Sequence, residues 1–96
     1  MRRDIALTKL RAIKPGLERD ANVSAIGIFG STVRDAAGPT SDIDILVAFH
    51  QAPGYFAFLS LQDHLSSEFG VKVDLVTAGA LHPALKEGIL RETVYV

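Results

Sequence analysis

The apolar positions along this chain follow two periods, one typical of helices and the other typical of strands. Ala6, Leu10, Ile13 and Leu17 recur every three or four residues, which predicts an amphipathic helix near the start of the chain. Pro15 lies inside this pattern and lacks the backbone N–H that a helix interior uses. We therefore expect the helix to end or kink near Ile13, with a short turn resuming at Pro15.

Three short apolar runs predict strands. Ser24–Phe29, Ile43–Phe49 and Val71–Val76 have the length and composition of buried strands. Between the first two, Gly30–Thr40 is polar and contains glycine and proline, which predicts a short helical turn followed by a loop. In the third run, alternation places Asp74 on the opposite face from the valine before it and the leucine after it.

Two further helices are predicted in the second half of the chain. Tyr55–Phe69 repeats apolar side chains at helical spacing, and Gly70 is placed to cap its end. Pro83 fits the first position of a helix that runs to about Arg91, and Thr93–Val96 either forms a short strand or packs on the helix layer. Strands that alternate with helices predict an α/β fold, with a mixed β-sheet and helices packed against it.

Composition narrows the function classes. The 96 residues predict one domain over residues 1–96. Ten basic and eleven acidic residues give a net charge of −1, which argues against strong nucleic-acid binding because such binding needs a basic surface. The chain has no cysteine, which excludes disulfides and thiolate metal sites. No stretch is apolar enough to predict a membrane span, and we expect a cytoplasmic protein.

Candidate ligands for phosphate and metal occur where the first two strands adjoin the polar loop. Gly30-Ser31 directly follows the first strand, where glycine lets the backbone approach a ligand and the following turn offers N–H groups to an anion. Asp42 and Asp44 are separated by one residue at the head of the second strand, so their side chains project from one face. Each signal alone also fits an ordinary turn or a surface carboxylate. Together they are typical of metal-assisted transfer from a nucleoside triphosphate.

A third carboxylate and one arginine extend this candidate site. If the third strand neighbours the second, Asp74 can face Asp42 and Asp44 around two magnesium ions, the arrangement used for in-line displacement at phosphorus. Asp74 could then act as the general base for the acceptor hydroxyl. Arg34, one helical turn beyond the Gly-Ser pair, either reaches phosphate oxygens or is an exposed charge that pairs with Asp35.

These residues together resemble the minimal nucleotidyltransferases, small members of the DNA polymerase β-like nucleotidyltransferase superfamily. The family pattern is an apolar strand, Gly-Ser, about ten residues, Asp-x-Asp and a later strand with a third Asp. This chain has Gly30-Ser31, ten intervening residues, Asp42-Ile43-Asp44 and then Asp74. The resemblance implies that Gly30, Ser31 and the retained Arg34 bind ATP, and that the three aspartates hold magnesium and catalyse transfer. One departure is Asp35, which replaces a common glycine and brings a negative charge toward the phosphate side.

The resemblance also implies a partner. Members of the family are commonly encoded beside a small helical HEPN protein, a ribonuclease-type toxin, and act as its antitoxin. Some transfer AMP from ATP to a tyrosine of that partner. The short chain agrees with this, because an acceptor pocket commonly needs several hundred Å³ of lined volume, which the partner or a second copy would complete in a hetero- or homo-oligomer.

Two other functions remain open at this point. The protein could be an antitoxin or binding module that occludes its partner without catalysis. It could also modify a small molecule, as the aminoglycoside nucleotidyltransferases do, although those enzymes usually carry an additional helical domain that this chain lacks.

Overall fold

Helices and strands alternate along residues 1–38 and 41–96, the part of the chain that the computed structural model describes. The helices are α1 (Arg3–Asp20), α2 (Tyr55–Phe69) and α3 (Pro83–Glu92), and the strands are β1 (Val23–Phe29), β2 (Ile43–Phe49), β3 (Val73–Val76) and β4 (Val94–Tyr95). Short 3₁₀ turns occupy Gly30–Thr32 and Ala78–Ala80. Within the described ranges, every helix is too short or too polar to cross a membrane. The end of the predicted loop, Pro39 and Thr40, lies outside the described residues.

The strands form one mixed sheet in the order β3-β2-β1-β4. β1 runs antiparallel to both β2 and β4, whereas β2 and β3 run parallel. The predicted mixed sheet is thereby confirmed, and the open alternative for residues 93–96 is settled, because Val94 and Tyr95 pair with Ile28 and Gly27. The parallel pair β2 and β3 is joined by α2, as parallel neighbours require a crossover connection.

One face of the sheet packs against α1 and α2. Alternate strand residues such as Ile28, Ile45 and Val73 are fully buried there, and they meet Leu10 of α1 and Leu65 of α2. α2 ends where it was predicted to end, at Gly70, whose φ of 71° is the left-handed conformation that glycine adopts readily. The other face of the sheet carries the residues between these buried positions, and it is the face of interest for function.

We expected α1 to end or kink near Ile13, and the first of these alternatives was wrong, because the helix continues through Pro15 to Asp20. Leu10, before the proline, is fully buried, and Leu17, after it, is only 4% exposed. Burying one leucine side chain contributes about 1.5–3 kcal/mol, similar to the cost of about 3 kcal/mol for a proline in a helix interior. Core packing on both sides of Pro15 therefore offsets the local preference of the sequence.

The outer edge of β3 is closed by side chains of α2. The backbone N–H of Val73 donates to Ser66 Oγ at 2.9 Å, and that of Leu75 donates to Gln62 Oε1 at 3.1 Å. These bonds satisfy the donors that an edge strand would otherwise offer to another chain. They also fix β3, and with it Asp74, relative to the helix layer.

Gly27 allows β4 to approach β1 closely. A Cβ atom at this position would lie 2.7 Å from the carbonyl oxygen of Val94 and 2.8 Å from Cγ2 of Thr93. The first of these atoms belongs to the backbone, which cannot move without disturbing the pairing of β4. Gly88, within α3, has no such neighbour within 4 Å.

We predict opposite effects for two glycine substitutions. Gly27→Ala should destabilise the fold by about 1–3 kcal/mol, because the added methyl group overlaps the backbone of β4. Gly88→Ala, the matched control, should leave stability unchanged or raise it by up to about 1 kcal/mol, since alanine is the better helix former. Urea unfolding of both variants measures this, and equal midpoints for Gly27→Ala and wild type would contradict the packing argument.

Candidate active site

Asp44 and Asp74 lie side by side on the face of the sheet away from α1 and α2. They are register partners on the parallel strands β2 and β3. Asp44 is flanked by Ile43 and Ile45, both fully buried in the core, so its own side chain points to the other face. The same alternation orients Asp74. Neighbouring strands are about 4.8 Å apart, which is close enough for the two carboxylates to share a cation.

Asp42 joins this pair through Lys72. The Lys72 ammonium lies 3.9 Å from Asp42 Oδ2 and 3.6 Å from Asp74 Oδ1, so one cationic group is held between the two carboxylates. All three side chains are partly exposed, which makes these ion pairs weak as sources of stability. These contacts show that the Asp42 and Asp74 carboxylates both lie close to the same ammonium group.

The Gly30-Ser31 turn lies directly against Asp44. Phe29, the residue before the turn, is the register partner of Asp44 across β1 and β2. Gly30 adopts a φ of +76°, and a Cβ atom there would lie 2.2 Å from Asp44 Oδ2. Glycine is thus required twice, for the left-handed backbone and for the space that the carboxylate occupies. Ser31 is half-buried in the same 3₁₀ turn, so the predicted phosphate residues and the predicted metal residue are neighbours.

Glu92, the last residue of α3, enters this site and was not predicted from the sequence. Its Oε2 accepts the backbone N–H of Gly30 at 3.2 Å, and its Oε1 accepts a hydrogen bond from Arg34 Nη1. Arg34 is therefore paired with Glu92 and not with Asp35. A glutamate near the end of a helix, some sixty residues from the loop, gives no local signal of this contact.

The carboxylate of Asp35 caps the first helix. Its Oδ1 accepts the backbone N–H of Arg3 at 2.9 Å, at the positive end of α1. Its backbone has a φ of 53°, the left-handed region that glycine favours and that aspartate tolerates better than most residues. The carboxylate that we expected to bring its charge toward the phosphate side is thus engaged with the terminus of α1.

Two cavities of the molecule lie away from the three aspartates. An apolar groove of about 440 Å³ lies farther along β2, lined by several alanines together with Leu46, Phe49 and Tyr95. A larger cavity of about 630 Å³ lies between α1 and α2, and none of the predicted site residues lines it. The Asp42 and Asp74 side chains are 46% and 42% exposed, so a second molecule can approach them, whereas Asp44 is partly buried.

Comparison with known proteins agrees with this geometry. Residues 10–96 match the Nucleotidyltransferase domain family. The protein adenylyltransferase MntA of Thermococcus cleftensis is 41% identical over 87 residues, which cover 91% of this chain and 88% of the relative. This chain belongs to the nucleotidyltransferase domain family. Its predicted family membership is thereby confirmed.

Two solved structures share the fold of this nucleotidyltransferase. A protein provisionally described as a minimal nucleotidyltransferase has a TM-score of 0.81 and 31% identity, with 98% of this chain and 95% of that chain covered. A toxin–antitoxin structure with AMP-PNP has a TM-score of 0.74 and 27% identity, with 93% and 72% covered. The mixed sheet with its helices is therefore the minimal nucleotidyltransferase architecture.

The pKa of Asp44 in this nucleotidyltransferase is raised above its ordinary value. Burial is the main cause, and the negative charges of Asp74, Asp42 and Glu92 add to it, while the Arg34 guanidinium opposes the shift. A carboxylate surrounded by other carboxylates is poorly stabilised in its charged form unless a cation joins it. A cation bound beside Asp44 would therefore favour its charged form.

The three aspartates fit a magnesium site only if other ligands complete the coordination of the ion. In residues 1–38 and 41–96, no group of three histidine, aspartate or glutamate side chains is arranged to hold a metal ion unaided. Magnesium commonly takes one or two protein carboxylates and completes its octahedron with phosphate oxygens and water. Asp42, Asp44 and Asp74 lie where they could supply those carboxylates once a nucleotide is bound beside the Gly30 turn.

We predict that Asp44→Asn stabilises the metal-free protein at neutral pH. A carboxyl whose pKa is raised by folding costs stability once the pH exceeds its unfolded value, and asparagine removes that cost. Below the ordinary pKa of 3.8 the group is protonated in both states, so the gain should vanish. Melting temperatures between pH 3 and pH 8 in EDTA measure this, with the exposed Asp63→Asn as the matched control. A variant that melts below wild type at pH 7 would show that Asp44 is a structural residue.

Proposed function

We propose that this protein is a magnesium-dependent protein adenylyltransferase that transfers AMP from ATP to a partner protein. The observation that carries the proposal is the placement of Asp44, next to Asp74 on one side and against the Gly30 turn on the other. This placement supports a site in which metal ligands and a phosphate-binding turn act together. The similarity to MntA of Thermococcus cleftensis, named a protein adenylyltransferase, supports protein as the acceptor.

The chain's own residues divide the work of the transfer. Gly30, Ser31 and Arg34 bind the triphosphate, and the turn offers backbone N–H groups to its oxygens. Asp42, Asp44 and Asp74 hold one or two magnesium ions, which when bound would polarise the phosphate oxygens and acidify the acceptor hydroxyl.

The transfer itself is an in-line displacement at the α-phosphorus. Asp74 accepts the proton of the acceptor hydroxyl while the hydroxyl oxygen forms the new bond to the α-phosphorus. The bond from that phosphorus to the bridging oxygen breaks, and pyrophosphate leaves with the electron pair. In this proposal the positive charge of Arg34 stabilises the negative charge that develops on the leaving group.

The partner we propose is a HEPN-type toxin, for which this protein acts as antitoxin. The similar structure with AMP-PNP is a toxin–antitoxin structure, which supports both ATP as substrate and a toxin as partner. The open carboxylate face supports the same assignment, because a protein acceptor brings its own walls to the reaction. A small-molecule acceptor would need a pocket beside the aspartates. The 440 Å³ groove does not extend to them.

We predict that the protein labels its genetically adjacent partner with AMP. Incubation with α-labelled ATP, magnesium and the purified partner should transfer label to a hydroxyl side chain, and mass spectrometry should locate it. Asp44→Asn should lower the rate by at least about a hundredfold, since it removes a metal ligand. Asp63→Asn, an exposed carboxylate on α2, should leave the rate unchanged. Absence of label with folded proteins would contradict the proposal.

Neutralisation in cells separates catalysis from occlusion. The double variant Asp42→Ala, Asp44→Ala should fail to protect cells that express the partner, although it still binds the partner. Full protection by this variant would instead establish an antitoxin that acts by covering its partner.

A further inference from the structure

A single carboxylate holds two of the proposed nucleotide-binding residues. Glu92 accepts hydrogen bonds from the backbone N–H of Gly30 and from the Arg34 guanidinium. The Glu92 side chain is 23% exposed, whereas the Arg34 side chain is 58% exposed. The Glu92 side chain is therefore mostly buried, and the Arg34 side chain extends from it toward solvent.

The position of Glu92 is set by the strand that follows it. Every residue of α3 keeps some exposure to solvent, so this helix has little packing of its own. Directly after Glu92, however, β4 pairs with β1 through Val94 and Ile28. The N–H of Thr93 and its hydroxyl both donate to the Ile89 carbonyl, which closes the helix end. The carboxylate is thus fixed to the sheet that also carries Gly30.

We propose that Glu92 is a positioning residue, which holds Arg34 and the Gly30 turn in the geometry that receives the triphosphate. This inference rests on the proposed function. A guanidinium has five N–H donors in a rigid planar arrangement, so one edge can bind Glu92 while the remaining donors bind phosphate oxygens. Ordering the long Arg34 side chain in advance lowers the entropy lost when the nucleotide binds.

Two other roles for Glu92 lead to different outcomes. If its carboxylate competes with phosphate for the donors of Gly30 and Arg34, removing it should tighten nucleotide binding. If it only joins α3 to the sheet, removing it should lower stability and leave nucleotide affinity unchanged. If Glu92 is a positioning residue, removing it should weaken nucleotide binding, and the loss should be larger when Arg34 is present.

The test compares wild type with Glu92→Ala, Arg34→Ala and the double variant. Calorimetry with AMP-PNP and magnesium gives Kd, and AMP transfer gives KM for ATP and kcat. Glu92→Ala should raise Kd and KM about tenfold, with a smaller change in kcat. In the Arg34→Ala background the same substitution should have a clearly smaller effect, because only the contact with the Gly30 turn is then left to lose.

Two further variants keep the result interpretable. Glu92→Gln retains an acceptor for the Gly30 N–H but loses the charge that pairs with Arg34, so it should stay folded and still weaken AMP-PNP binding. Glu87→Ala removes another Glu–Arg pair of α3, in which Glu87 and Arg91 are 85% and 75% exposed, and should change neither Kd nor KM.

The inference is overturned if Glu92→Ala and Glu92→Gln bind AMP-PNP as well as or better than wild type. It is also overturned if the loss of affinity is as large in the Arg34→Ala background as in wild type. The proposed function fails in a different way, through absence of AMP transfer by wild type itself. The two failures are therefore distinguishable in one series of measurements.

Discussion

The site depends on the close approach of the Gly30 backbone to the Asp44 carboxylate. Antiparallel pairing of β1 with β2 sets Phe29 opposite Asp44, and the chain then turns at Gly30 with a positive φ. Because the α-carbon of Gly30 bears no side chain, the carboxylate fills the space that a Cβ atom would need. The turn proposed to bind phosphate and an aspartate proposed to bind metal are thus brought together by two adjacent strands.

Function and stability oppose each other at this position. Asp44 is partly buried among acidic neighbours, and its raised pKa shows that its charge is unfavourable in the metal-free fold. Lys72 lies between Asp42 and Asp74 and relieves part of the repulsion, but it is exposed and can move when a cation binds. The fold tolerates this arrangement because the opposite face of the sheet is a continuous core of aliphatic side chains. The carboxylate face remains open, which suits an enzyme whose acceptor is another protein.

Several features could be predicted because they depend on near neighbours in the chain. The bounds of β2 and α2, and the cap at Gly70, follow from periodicity and from glycine. The path of α1 through Pro15 could not be predicted locally, because burial of Leu10 and Leu17 decides it. The hydrogen-bond partners of Arg34 and Asp35 could not be predicted from the sequence either. These two neighbouring side chains diverge, one to Glu92 at the end of α3 and the other to the start of α1.

The sequence alone determined the strand–turn–strand unit and indicated the chemistry proposed for it, because Gly30-Ser31 and Asp42-x-Asp44 are placed by strand alternation and glycine conformation. It also indicated the family, since those residues occur at a characteristic separation. Only the tertiary structure decided that Asp74 lies beside Asp44, that Asp35 caps α1, and that Glu92 contacts Gly30. Each of these contacts joins segments distant in the chain, and sheet order and register, which no local pattern encodes, bring them together.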